Sequence, residues 1–341
     1  MALDNFNFDP RFLDAENIIA KLHLLMQQER SDPYSNRQVQ QADLRDRIQT
    51  SLSYVPPHLR QYILALFANT IYFTKAYSNS VLSHLLNRVL YREKLTRDSF
   101  ERNSLVLEVD PTGIVNEFLR HNAFSGRLDK SKFPRKQQVS EFIKAAIQDE
   151  GDESIQGFLS RKYWLVLTDN SLSGTSLVSD LKKLIRLAQE KEKDPQYIVL
   201  IRTLAYPAKS SIEREFAELI ERKRLRFEFG LYLDKQYSVT DILPKDKCRL
   251  FSSQDTLDGV IDSCRWLTAQ DGYINDFTLA DHKHNSGCDM TFGFKKCGLT
   301  FVSVENCPSD SLPLLWYRNS DIYVSPFPRV LSRTGGANNV S

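Results

Sequence analysis

Apolar positions recur at helical spacing through the first hundred residues and in short continuous runs after them. Leu59, Tyr62, Ile63, Leu66, Phe67 and Ile71 lie on one helical face behind Pro56-Pro57, which would start the helix. Leu82, Leu85, Leu86, Val89 and Leu90 repeat the pattern after an expected break near Ser78-Asn79-Ser80, and Ala15–Gln28 and Gln41–Ser53 read as two earlier helices. From Ser104 the pattern changes. Leu105–Val109, Trp164–Leu167, Tyr197–Ile201, Arg226–Leu233 and Leu299–Val304 read as strands. Helical stretches stand between most of them: Ile114–Leu119, Val139–Leu159 (with an acidic loop at 149–153), Leu177–Lys193 and Ser210–Arg224, the last with Ser210 or Ser211 as N-cap. Ser253–Trp266 is a further helix. Strands alternating with helices predict an α/β fold on a parallel sheet. Residues 1–100 form a helical extension, 101–333 the α/β domain and 334–341 a polar tail.

The strand ending at Leu167 is followed by Thr168, Asp169, Asn170 and Ser171, then Leu172 and the small cluster Ser173-Gly174-Thr175-Ser176. A strand–turn–helix corner of this composition suits a phosphate. Free amides and the positive end of the helix dipole face outward together, the hydroxyls of Ser173, Thr175 and Ser176 add donors, and Gly174 permits close approach or positive φ. Asp169 would stand beside whatever carries the phosphate.

Composition adds limits. The net charge of +2 argues against a globally nucleic-acid- or membrane-binding protein. No apolar run reaches membrane-spanning length, the N-terminus shows no hydrophobic signal segment, and the five cysteines show no CxxC spacing, so a reduced cytoplasmic setting is expected. Local charge is another matter: Arg127, Lys130, Lys132, Arg135 and Lys136 form a basic stretch that would clamp diphosphate or a nucleic-acid backbone. His282, His284 and Cys288 offer zinc-type ligands without a second pair, and read as a polar loop.

The corner at 164–176 resembles the phosphoribosyl-diphosphate loop of type I phosphoribosyltransferases, with Thr168 and Asp169 at the two acidic positions and 173–176 on the phosphate loop. The C-terminal residues Gly293, Asn306, Pro308, Leu312, Pro313, Trp316, Phe327, Pro328 and Arg329 resemble the end of a phosphoribosyltransferase-like branch from bacterial anti-phage systems. The resemblance implies the twisted parallel sheet of that family and a site at Thr168–Ser171 and Ser173–Ser176 for phosphoribosyl diphosphate or a nucleotide. It gives Asp169 the ribose hydroxyls and a catalytic part, and implies Mg²⁺ alongside diphosphate. It also implies transfer or cleavage at ribose C1′ within a defence system. Two departures stand against catalysis: Thr168 replaces the first acid, and Leu172 stands where many relatives that use nucleobases carry an Asp. The alternatives are a catalytically inactive nucleotide sensor acting through its helical extension, with a defence-system protein as partner, and a nucleic-acid-binding protein using the 127–136 stretch.

Overall fold

The computed structural model describes residues 18, 20, 41–73, 75–109, 114–121, 138–148, 151–240, 250–251, 253–271, 273, 290–303, 307–308 and 310–327. The strands, in chain order, are β1 Ile71–Phe73, β2 Ser104–Glu108, β3 Tyr163–Ser171, β4 Gln196–Ala205, β5 Leu225–Leu233, β6 Phe301–Ser303, β7 Arg318–Asn319 and β8 Tyr323–Val324. Two compact units emerge. One joins Met1–Lys75 to Lys235–Ser341, and the other is the continuous stretch Ala76–Asp234.

The continuous unit holds a four-stranded sheet in the order β2-β3-β4-β5, parallel throughout. Every residue of β2 and the first six of β3 are buried. That explains why their sequences read as unbroken apolar runs: a parallel strand has helices on both faces and no side to give to water. On one face, Trp164, Val166 and Val199 pack with Leu181 and Leu184 of helix Thr175–Glu190 and with Phe142 of helix Val139–Gln148. On the other, Leu165, Leu167 and Leu200 meet Leu82, Leu85 and Val89 of helix Lys75–Glu93 and Phe118 of helix Ile114–His121. Fully burying side chains of this size contributes about 1.5–3 kcal/mol each.

The second unit has its own core, in which helices Gln41–Tyr54, Arg60–Ala68 and Gln254–Thr268 bury Ile48, Ile63, Leu66, Val260 and Cys264. Strands β1 and β6 pair in parallel, and β7 and β8 pair antiparallel. Ser253 caps the Gln254 helix by accepting from the Thr256 amide.

Several expectations are corrected. Helix Lys75–Glu93 runs through 78–80 without a break. Ile71 is in β1, because the preceding helix ends at Ala68. The helix expected from Ser210 starts at Tyr206, with Pro207 in its first turn, and yields to a second helix at Ala217. Proline brings a fixed φ and needs no donor there, so it out-competes a serine cap. Helix Lys75–Glu93 covers a face of the central sheet, and residues 235–341 join the N-terminal residues in the other unit. The expected helix Ala15–Gln28 (save residues 18 and 20) and the 334–341 tail lie outside the described residues.

Candidate functional site

The apolar run of β3 does not stop where its hydrophobic residues do. Hydrogen bonding to β4 continues past Leu167, pairing Thr168 with Ile201, Asn170 with Thr203 and Ser171 with Leu204. Thr168–Ser171, beyond the expected strand end at Leu167, therefore form the carboxyl end of a central strand. Thr168 and Ser171 are buried, while Asp169 and Asn170 are partly exposed. The turn follows at Leu172–Gly174. Leu172 is buried and its carbonyl accepts from the Ala208 amide at 3.1 Å, which braces the corner on helix Tyr206–Glu215.

Gly174 takes φ +80°, and a Cβ there would lie 2.9 Å from the Ala208 Cα. The position thus needs glycine twice over, for handedness and for room. Helix Thr175–Glu190 then opens with Gly174 as N-cap and no side-chain capping bond. Its first amides have no partner within the helix. Ser173 Oγ lies 3.4 Å from Thr175 Oγ1, and Thr175 and Ser176 are exposed. The corner presents amides and hydroxyls without a carboxylate cap.

Asp169 is already engaged. One of its oxygens accepts from Arg202 at 2.8 Å and the other from the Asn170 side-chain Nδ2 at 2.9 Å. Arg202, on β4, also donates to Glu117 of helix Ile114–His121. The Arg202 side chain is 2% exposed, against 12% for Asp169 and 20% for Glu117. Burial alone would lower the pKa of the guanidinium, but Asp169 and Glu117 outweigh it and raise the pKa above its ordinary value. One cation serves two carboxylates. The three side chains carry a net negative charge at the carboxyl ends of the strands, the end where parallel sheets place their ligands.

Arg202, Glu117 and Thr203 escaped the sequence reading, which ended the second buried strand at Ile201. An arginine directly following YIVLI, with Thr-Leu-Ala beyond it, was the available signal: strand apolarity resumes after the charge. Arg127, Lys130, Lys132 and Arg135 lie outside the described residues, as do His282, His284 and Cys288, and among the described residues no group of three or more metal-ligating side chains is found. Of the C-terminal motif, Leu312, Pro313, Trp316 and Phe327 are core residues of the discontinuous unit. Trp316 donates to the Ser311 carbonyl at 2.8 Å, and Phe327 meets Phe67 edge-on at 6.3 Å. Asn306, Pro328 and Arg329 lie outside the described residues.

No curated protein and no solved structure matches the chain. A family model does: PRTase-CE, over residues 56–329. The match begins well before the α/β stretch and takes in helices Arg60–Ala68 and Lys75–Glu93, which accords with their packing in the two cores. With that extent matched and a parallel α/β sheet beneath the site, the chain belongs to the PRTase-CE family and carries a phosphoribosyltransferase-like domain.

Proposed function

We propose that the protein binds phosphoribosyl diphosphate, or a nucleotide, with its 5′-phosphate on the Ser173–Ser176 turn, and that it works as an effector in bacterial anti-phage defence. The observation that carries this reading is the start of helix Thr175–Glu190, where a left-handed glycine is the N-cap, no side chain caps the helix, and Thr175 and Ser176 are exposed. Hydrogen bonds to a charged phosphate contribute about 1.5–3 kcal/mol each, and the helix dipole adds to them. Asp169, held in place by Arg202, would turn its partly exposed edge to the ribose.

Magnesium fits this arrangement as a companion of the ligand. The described residues offer it one partly exposed aspartate and no cluster, so the diphosphate oxygens would carry most of its coordination. When bound, the ion would neutralise charge on a departing diphosphate. The protein's own part in transfer or cleavage at C1′ is positional, since buried Leu172 offers no proton acceptor. The same feature favours a second reading, a sensor that binds nucleotide without turning it over.

Titration calorimetry with phosphoribosyl diphosphate, with and without Mg²⁺, tests the assignment on the wild type and on Ser176→Glu. A carboxylate in the first turn stabilises a helix but repels phosphate. The variant should therefore keep or raise its melting temperature while losing at least tenfold in affinity. Equal affinity would refute the phosphate site, and release of diphosphate or base from bound ligand would separate enzyme from sensor.

A further inference from the structure

Asp169 and Glu117 come from different elements, β3 and helix Ile114–His121, and meet on one arginine. Arg202 donates from one terminal nitrogen to Asp169 at 2.8 Å and from the other to Glu117. Its side chain is 2% exposed and it belongs to β4, so it cannot swing into solvent as a surface arginine does. Nor can it shed its charge, because a guanidinium stays protonated in proteins. Carboxylates that converge from separate elements are what a protein uses to hold a divalent cation. Here a guanidinium takes the point of convergence.

The consequence for a metal is specific. Mg²⁺ is bound through one or two carboxylates together with phosphate oxygens, and water completes its octahedron. To recruit Asp169 the ion would have to displace Arg202, and a buried guanidinium stripped of its partner is strongly destabilising. Both Asp169 oxygens already accept, one from Arg202 and the other from the Asn170 side chain at 2.9 Å. Residue 168, directly before Asp169, is a neutral threonine, and among the described residues no group of three metal-ligating side chains forms. A missing acid on β3 and an added base on β4 thus lower the negative charge in the same direction. We propose that Arg202 is a built-in counter-ion, holding the position between Asp169 and Glu117 that a divalent cation would otherwise fill, so that the protein turns no carboxylate to a metal and binds its anionic ligand without one. The part concerning the ligand rests on the phosphate assignment above, while the part concerning the carboxylates stands on the ion pair alone. Mg²⁺ that accompanies a diphosphate arrives on the ligand's own oxygens. Arg202 acts through two carboxylates and is a positioning residue.

The test uses the full chain as wild type, Arg202→Met and Arg202→Lys, with melting temperature read in EDTA and in millimolar Mg²⁺. Wild type should melt at the same temperature in both. Arg202→Met leaves two carboxylates unneutralised, so it should melt several degrees lower in EDTA and regain part of that loss in Mg²⁺. Arg202→Lys keeps the charge and should ignore Mg²⁺, whatever its shorter reach does to the melting temperature. A merely structural arginine would give two variants that melt low and both ignore Mg²⁺, which would overturn the counter-ion. A wild type stabilised by Mg²⁺ alone would overturn it too, and this comparison decides if Arg202→Met does not fold. Titration calorimetry reads the ligand: wild type should bind phosphoribosyl diphosphate in EDTA at least as tightly as in Mg²⁺. Binding only in Mg²⁺ would overturn the metal independence while leaving the phosphate turn standing. No binding in either buffer would overturn the phosphate assignment and the ligand part of this inference, with the ion pair still judged by the melting temperatures.

Discussion

Asp169 shows how a residue's job changes with its neighbours. As a loop carboxylate it would be removable without harm to the fold. In β3 it is one of two anions around an arginine that is 2% exposed. Removing one partner of a buried pair costs about 3–5 kcal/mol, because a charge is left stranded. Glu117 still holds Arg202 when Asp169 is gone, so Asp169→Ala should lose about 2–3 kcal/mol, read by urea denaturation, and Asp169→Asn less. A variant as stable as wild type would show that the ion pair does not form in solution. Loss of activity in the alanine variant therefore needs this stability control beside it. Gly174 carries a parallel lesson. A larger residue there would strain a left-handed backbone and strike Ala208, so its failure to bind ligand would report on the corner's folding as much as on phosphate entry.

At the scale of elements, the informative contact is between β5 and helix Lys75–Glu93. A Cβ on Gly230 would lie 2.2 Å from Val81 Cγ1 and 2.9 Å from the Arg202 carbonyl oxygen. The helix lies against the strand there because the strand has no side chain. Nearby, Glu228 of β5 is 2% exposed and accepts from Arg88 at 2.9 Å and also from Arg92. Arg88, Arg92 and Glu228 therefore belong to a fold contact. Gly230→Ala should destabilise by about 1–3 kcal/mol through overpacking, with an unchanged denaturant slope; a neutral result would mean that the helix can move away at no cost. Carboxylates and arginines thus meet at the sheet, where Asp169 holds Arg202 and Glu228 holds Arg88 and Arg92.

For the whole molecule, the division into units makes a prediction that the linear reading could not. Residues 76–234 are continuous, and the sheet's two covering clusters draw only on residues 81–232 of this stretch. A fragment spanning 76–234 should fold alone and unfold in one cooperative transition followed by circular dichroism. Residues 101–333, the domain expected from sequence, should not. They would lack Leu82, Leu85 and Val89, which cover one face of the sheet, and Ile48, Ile63 and Leu66 from the other core. A molten 76–234 fragment would refute the division. Among the described residues no helix is long and apolar enough to cross a membrane.

Much was legible without coordinates. Three runs of buried apolar residues announced the parallel sheet, since a strand covered on both faces can hold little else. The glycine and hydroxyls at 173–176 announced the corner, since only glycine takes a left-handed turn cheaply where another backbone approaches. Local pattern sufficed for both because each is decided within a dozen residues. Strand ends, partners and boundaries were decided elsewhere. Thr168–Ser171 are strand because β4 continues to hydrogen-bond them, and Arg202 matters because register sets it opposite Asp169, 33 positions away in sequence. Helix Lys75–Glu93 belongs to the sheet because Gly230 admits it. Backbone pairing, charge neutralisation and steric fit act between residues brought together only by folding, so the corner could be read from the chain while the ion pair required the tertiary structure.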